Sequence, residues 1–467
     1  MCKASWKDFI SVMRIKLDIP LRISEICLAA GAQIPIGVSP HMSVNFISTD
    51  SRECSSGDLF VALQGNGDSG ERYVADALGN GCIALSVREG AHIIHVSDTA
   101  RAFLEISKAY KKKVSPKYTV AVTGSVGKST TVQFLATVLR QKYKVHSTIG
   151  NFNNHIGVPL TLLSSPSDTE ILITELGMNH KGEISLLSRT VNPDIALITS
   201  VGTSHIGNLG SREGIAKAKL EILDGMTTGN ILLPISEDLL SGIDGAIYVG
   251  RSSSLSAYSL NETGTGCYSF TAPGRTIGGI RFFDNREHLL HDLAFAISVA
   301  DMVGMSEKEI SDGVSAITEA NLRQRFIELS DFTVFDDSYN ASLESISEDL
   351  RYITSLGRPC GAFIGDVLEL GDSTEEIHGM IGSVAAKSGV ERLYLHGIYA
   401  QHIARGAIMR GMNEKCIFIN TDPENVQASV EHIKSNHVSG EIILFKASHR
   451  LRFDKIADIL KNEEGRQ

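Results

Sequence analysis

Apolar positions along the chain fall into short continuous runs separated by amphipathic stretches of helical spacing. The first clear series is 118–122 (YTVAV), 171–174 (ILIT), 195–198 (IALI) and 231–233 (ILL). Strands buried on both faces read as unbroken apolar runs, and their alternation with helices predicts βα units on a mainly parallel sheet. A second series starts near residue 326, with runs at 332–335 (FTVF), 361–364 (GAFI), 393–395 (LYL), 417–419 (IFI) and 442–445 (IILF). It predicts another α/β unit of the doubly wound kind. Ahead of residue 99 the strand patterns are shorter and less regular. A helix is expected from about Thr99 to Tyr110, and Lys111-Lys112-Lys113 after it reads as a solvated helix end. The pattern therefore predicts three α/β domains, about 1–98, 99–322 and 323–467.

Composition narrows the function classes. The 467 residues carry 44 Lys+Arg against 54 Asp+Glu, a net charge of -10. That argues against a nucleic-acid or membrane-surface binder, which needs a basic face. Gly is 43 and Pro only 11, which fits many tight strand-to-helix turns. Seven cysteines, at 2, 27, 54, 82, 267, 360 and 416, form no CxxC pair, as expected of buried thiols in a reducing compartment. Lys3, Lys7, Arg14 and Lys16 open the chain without an apolar stretch beside them. No apolar run approaches the roughly 18 residues of a membrane span. A cytoplasmic protein without membrane insertion is expected.

In open α/β sheets ligands bind at the carboxyl ends of the strands. After YTVAV comes Thr123, then Gly124-Ser125-Val126-Gly127-Lys128-Ser129-Thr130 and a helical pattern. A glycine loop opening onto a helix N-terminus presents N–H groups to phosphate. Lys128 can reach the terminal phosphates and the Ser129 hydroxyl can bind Mg²⁺. The longer eight-residue form of this motif needs Gly at 122, where the chain has Val122. Glu175 follows ILIT, and His205 lies in the turn after IALITSV. Alone, either residue reads as structural; two beside a phosphate loop favour a metal–phosphate site. Mg²⁺ prefers oxygen, so Glu175 is the natural ligand and His205 the less usual one.

Lys219 breaks the pattern of its own helix. With 213–226 taken as helical, Ile215, Ala218, Ile222, Leu223 and Met226 share one arc, and Lys219 falls in its middle. Either the amine snorkels to water, or it is a buried neutral amine that does chemistry or is modified. In the last domain, polar groups again follow the apolar runs: Asp336-Asp337-Ser338-Tyr339-Asn340-Ala341, then Gly365-Asp366 with Glu369 and His378, then Lys446-Ala447-Ser448.

Together these motifs resemble the Mur ligase family, and the resemblance covers all three domains. Thr49-Asp50-Ser51-Arg52, Gly57 to Leu63 and Gly65 resemble the family's uridine-nucleotide signature, and the phosphate loop its ATP loop. Gly150-Asn151-Phe152-Asn153-Asn154, Glu175 to His180 and Asp336 to Ala341 are similar to stretches of members that add D-alanyl-D-alanine.

The resemblance implies a small N-terminal UDP-binding domain, a central P-loop ATPase domain and a C-terminal Rossmann-like domain. It implies an ATP-dependent, amide-forming ligase of peptidoglycan precursor synthesis. Its substrates would be a UDP-N-acetylmuramoyl-tripeptide and D-alanyl-D-alanine, and its state a monomer. Gly124 to Thr130, Arg325 and Asp337 would serve ATP. Ser129, Glu175, His205 and a carbamylated Lys219 would hold two Mg²⁺, with Lys128, Glu175, His205 and Lys219 as the catalytic set. Ser51, Arg52, Gly65, Asn151, Asn153, Asn154, Asn340, Lys446 and Ser448 would meet the other substrates.

The chain departs from the family at His288-Leu289-Leu290-His291-Asp292, where His-Asn-x-x-Asn is usual on the adenine side. It departs also at Ser69 to Tyr73, at Ser342-Leu343 and at Ala447. The rival readings are a sister ligase adding one amino acid, a folate polyglutamate ligase, and a P-loop switch without ligase activity. Lys219 separates the switch from the rest, since a switch has no need of it.

Overall fold

The computed structural model describes residues 14–64, 69–251, 257–322 and 324–453, with 456, 459 and 460. Three sheets share the chain. The first takes β1 (Arg14–Arg22), β2 (Ser43–Ser48), β3 (Leu59–Val61), β4 (Ile83–Ser86) and β5 (Ile93–His95) in sequence order. Only the β1–β2 pair in it is antiparallel.

The second sheet holds β6 (Tyr118–Thr123), β7 (Val145–Ser147), β8 (Ile171–Glu175), β9 (Ile195–Ile198), β10 (Asn230–Pro234), β11 (Ile247–Arg251), β12 (Tyr258–Gly264), β13 (Cys267–Ala272) and β14 (Arg275–Arg281). Their spatial order is 7-8-6-9-10-11-12-13-14. Strands β6 to β11 are parallel, as the unbroken apolar runs predict, and β12–β13–β14 form an antiparallel edge. The edge escapes that pattern because its outer strands bury only scattered positions: Arg275–Arg281 buries only Ile277 and Ile280. Helices cover both faces. Lys128–Leu139 and Glu287–Met302 pack into one core, Glu183–Val191 and Arg212–Leu220 into the other.

The third sheet is β15 (Arg325–Glu328), β16 (Phe332–Asp336), β17 (Cys360–Gly365), β18 (Arg392–His396), β19 (Ile417–Asn420) and β20 (Glu441–Lys446), in the order 15-16-20-17-18-19. All five expected strands are present and parallel, with β15 added antiparallel at the edge. On one side the helices Thr374–Ser388 and Ala400–Ile408 meet backbone to backbone. A Cβ on Gly382 would stand 1.8 Å from the Ile403 carbonyl oxygen, and one on Gly406 1.9 Å from that of Gly379.

Two expectations are corrected. The triple-lysine run is not simply solvated: Lys111 Nζ donates to the Val191 and Asn192 carbonyls at 2.6 and 3.2 Å. It caps the C-terminal end of the helix Glu183–Val191, where a cation suits the dipole. Burial there pushes its amine down to about 8. The helix around Lys219 ends at Leu220 and tightens into a 3₁₀ turn, Glu221–Gly225. Glu221 is drawn aside because its carboxylate accepts from Gly182 N, at 2.9 Å, and Ser185 N, at 3.3 Å, at the start of the neighbouring helix.

The helix Thr99–Val114 lies between the first two domains. Phe103, Ile106, Tyr110 and Val114 join the first domain's core, to which Leu160 and Leu163 also belong. Tyr110 Oη donates to the Ser165 carbonyl at 3.2 Å and accepts from Asp18 N at 3.1 Å.

Candidate active site

A cavity of about 460 Å³ opens between the central and third domains. One wall is the phosphate loop, Ser125 to Thr130, with Asn151, Asn153 and Glu175; the other carries Asp337, Asn340, Asp349 and Lys446. The loop needs its glycines. Gly127 has φ +88, and a Cβ there would lie 2.6 Å from Asp292 Oδ1. A Cβ on Gly124 would fall 1.9 Å from Thr199 Oγ1. The loop is pinned to the end of β9, where Ser125 N donates to the Ser200 carbonyl at 3.0 Å and Val126 N to Ser200 Oγ at 2.9 Å.

Glu175 ends β8 and is 2% exposed. Its Oε2 accepts from Ser129 Oγ at 2.6 Å and its Oε1 from Asn153 Nδ2 at 2.8 Å. Thus the hydroxyl and carboxylate expected to share a cation stand side by side at the helix N-terminus. Hard oxygen donors beside a phosphate loop fit Mg²⁺. Lys128 Nζ donates to the Gly124 and Ser125 carbonyls, at 2.8 and 3.2 Å. It lies folded over its own loop.

Lys219 does not snorkel. It is 3% exposed, and burial together with the charge of Lys128 drives its amine well below the usual lysine range. No carboxylate among the described residues contributes to that balance. Lys446 is the opposite case. Its amine is paired with Asp337 and, at 2.7 Å, with Asp349 Oδ2. Asp337 above all holds it charged, above the usual lysine range, and its charge keeps the Asp337 carboxyl low, while burial drives the Asp349 carboxyl well above the usual carboxylate range. Gln324 Nε2 donates to Asp337 Oδ2 at 3.2 Å and Asp349 Oδ1 at 2.9 Å, and Arg286 donates to the same glutamine's oxygen.

The departing motif forms the cavity's far end, which His288, His291 and Asp292 line. Burial pushes both histidines down to about 4 and the Asp292 carboxyl upward. The Nε2 atoms of His288 and His291 are buried without a hydrogen-bond partner, as groups awaiting a ligand would be. Asp292 accepts from Thr131 Oγ1 at 2.8 Å, so it braces the loop helix.

Other expected residues stand elsewhere. His205 is outside the cavity lining, with Nδ1 2.5 Å from Glu369 Oε2. Among the described residues, no cluster of three His, Cys, Asp or Glu forms a ready metal site. Asn154 caps the helix Gly157–Leu163 through Ile156 N and Gly157 N, at 3.0 and 2.9 Å. Ser448 Oγ accepts from Leu368 N at 2.9 Å, which ties the loop after β20 to the loop after β17. Arg325 is held by Asp336 Oδ2 at 2.9 Å on the edge strand. Ser51 and Arg52 lie in the first domain, the latter paired with Asp50. Gly65 lies outside the described residues.

Sequence reasoning missed Asp349, Gln324 and Arg286. A signal for Asp349 exists: Ile346, Asp349, Leu350 and Ile353 are the buried stripe of their helix, a polar residue on an apolar arc just as Lys219 is. No helix among the described residues is long and apolar enough to cross a membrane. The six described cysteines are free thiols.

The chain is similar to known proteins along most of its length. The Mur ligase family catalytic domain matches residues 43–143 and the Mur ligase middle domain residues 122–262. A UDP-N-acetylmuramoyl-tripeptide--D-alanyl-D-alanine ligase of Bacillus subtilis (strain 168) is 33% identical over 88% of this chain and 92% of its own. A crystal structure of MurF from Acinetobacter baumannii superposes with a TM-score of 0.84 at 26% identity, covering 96% of this chain and 100% of that one. The fold is shared also with the MurF ligase of Thermotoga maritima in complex with ADP, with a TM-score of 0.74, 24% identity and coverage of 90% and 98%.

Proposed function

The chain belongs to the Mur ligase family and is an ATP-dependent amide ligase, and from that premise we propose how its residues divide the work. The substrates are a UDP-N-acetylmuramoyl-tripeptide and D-alanyl-D-alanine, as the relatives' names indicate. The observation that carries the assignment to a site is the convergence of Ser129, Glu175 and Asn153 on one wall of a cavity closed by the third domain. The working domains are about 1–98, 99–322 and 323–467, with the helix Thr99–Val114 serving the first two cores.

A carboxylate oxygen of the tripeptide attacks the γ-phosphorus of ATP. ADP leaves and an acyl phosphate remains. The dipeptide's neutral amine then attacks the acyl carbon, and the tetrahedral intermediate collapses to the amide, releasing phosphate and a proton. Negative charge grows on the transferred phosphoryl oxygens. Lys128 meets it by leaving the Gly124 and Ser125 carbonyls for the nucleotide. Lys446 is already paired with Asp337 and Asp349, so its task is to hold the third domain's wall in place. Closure of that wall keeps water from the acyl phosphate.

Ser129 and Glu175 would hold a first Mg²⁺, with His205 and Lys219 toward a second. Such an ion, when bound, supplies Lewis-acid polarisation of phosphoryl oxygens. Lys219 would serve it as a carbamate, formed when the neutral amine nitrogen adds to the carbon of CO₂ and a proton leaves. Burial and the absence of an acidic partner favour the reactive neutral form.

Phosphate release from ATP tests this reading. It should require both substrates together, and D-alanyl-D-alanine should far exceed any single amino acid. Equal turnover with free lysine, diaminopimelate or glutamate would reassign the chain to a sister ligase.

A further inference from the structure

We propose that this chain's nucleotide site discriminates weakly between purines, and takes 6-oxo purine triphosphates such as GTP nearly as well as ATP. The inference rests on the reading that the phosphate loop holds a nucleoside triphosphate. With the phosphates on Ser125 to Thr130, the base falls toward the far end of the same cavity, which His288, Leu289, His291 and Leu322 line. The choice of base is then set by the polar side-chain atoms that this end has free.

Fixed ones are scarce. Leu289 brings neither donor nor acceptor. Asp292 Oδ1 is occupied by Thr131 Oγ1 at 2.8 Å, and it lies against the loop, where a Cβ on Gly127 would stand 2.6 Å from it. Both halves of the Gln324 amide are engaged, Nε2 by Asp337 and Asp349 and Oε1 by Arg286. A side-chain amide recognises adenine by offering a donor and an acceptor in one fixed fork. None of these three side chains offers that fork to a base. What is free is the Nε2 atom of His288 and that of His291, each buried and without a hydrogen-bond partner. The two residues stand three apart on the helix Glu287–Met302, so they share a face.

Adenine and guanine are opposite along one edge. At position 6 adenine carries an amino donor and guanine an oxo acceptor; at position 1 adenine accepts and guanine donates. A charged imidazole could only donate. Burial keeps both rings neutral, so each nitrogen donates in one tautomer and accepts in the other. No hydrogen bond among the described residues fixes either tautomer. Glu348 Oε2 stands 3.5 Å from His288 Nδ1, beyond hydrogen-bond length. The two imidazoles can therefore invert their polarity with the base, where a fixed donor would reject the wrong one.

The test uses the full chain with non-hydrolysable imido analogues of ATP and GTP. In calorimetry their dissociation constants should agree within about tenfold, whereas a site of fixed donors and acceptors separates mismatched analogues by roughly 10⁴-fold. A preference above about tenfold for the ATP analogue overturns the proposal. Nitrogen-15 spectra, assigned from His288→Leu and His291→Leu, should show an Nε2 that is unprotonated with the ATP analogue and protonated with the GTP analogue. Both rings keeping one tautomer in the two complexes overturns it as well. His291→Leu should weaken both analogues alike, and weakening of one alone counts against the shared reader. Phosphate release in the presence of the UDP-tripeptide and D-alanyl-D-alanine judges the ligase reading separately. If neither triphosphate supports it, that reading fails, while the binding ratio and the tautomers still judge the base site.

Discussion

Lys219 and Lys446 are both removed from solvent, 3% and 1% exposed, yet the protein treats them in opposite ways. Lys446 pairs with Asp337 and Asp349 and stays charged; Lys219 is driven toward the neutral amine by burial and by the charge of Lys128, with no carboxylate among the described residues to offset them. Burial alone does not set a lysine's chemistry; the company it keeps does. An ammonium with buried partners is a fixed structural cation. An amine without them is a nucleophile.

The contrast predicts different losses on truncation. Lys446→Ala strands Asp337 and Asp349 without a cation, and should cost about 3–5 kcal/mol of stability in urea unfolding. Removing the charges together, as in Lys446→Met with Asp337→Asn and Asp349→Leu, should restore much of that. A single variant as stable as wild type would erase the distinction. Lys219→Ala should behave in reverse. Its unfolding midpoint should hold or rise, because a buried unpaired amine is gone, while turnover falls on the order of 10³-fold as a metal ligand is lost. Formate should restore part of the rate by filling the gap, and a variant with full activity would remove Lys219 from the chemistry. Lys128→Ala should lower turnover by roughly 10²–10³-fold with the fold intact.

The smallest effect is one of pH. His291 is held neutral, its pKa pushed from 6.5 to about 4 by burial and by Arg251. Between those values the unfolded chain binds the extra proton and the native state does not, so this contribution is lost as pH falls and returns as it rises. Wild-type stability relative to His291→Gln should therefore climb from pH 4 to 6.5, by at most about 1.4 kcal/mol per pH unit. A flat difference across that range would mean the ring is open to water.

How much was legible before the coordinates follows from the same physics. Strands covered on both faces announce themselves, and β6, β8, β9, β10 and the five parallel strands of the third sheet were readable as apolar runs. The β12–β14 edge and β15 were not: β12 is buried only at Tyr258, Ser259 and Leu260, β13 and β14 bury scattered positions, and β15 buries none. Ser129 and Glu175 were legible because each follows a strand end. Lys219 stood out by helical phase, and Asp349 would have yielded to the same test. The hold of Lys111 on a helix 80 residues away, and of Glu369 on His205, leave no local trace, since each depends on how separately folded pieces are set against one another.

The glycine contacts between the helices Thr374–Ser388 and Ala400–Ile408 have a mechanical consequence. Helices separated by side chains can slide, because rotamers shear like a lubricant layer. Here the backbones touch at Gly382 and Gly406, and there is no layer to shear. The pair is a stiff plate. Gly371, three residues ahead of its first helix, sits on its rim against Gly207. A displacement of the third domain thus reaches the loop of His205 undamped, as a push from a rigid edge. The precision of arrival is set by two glycines that no larger residue could replace.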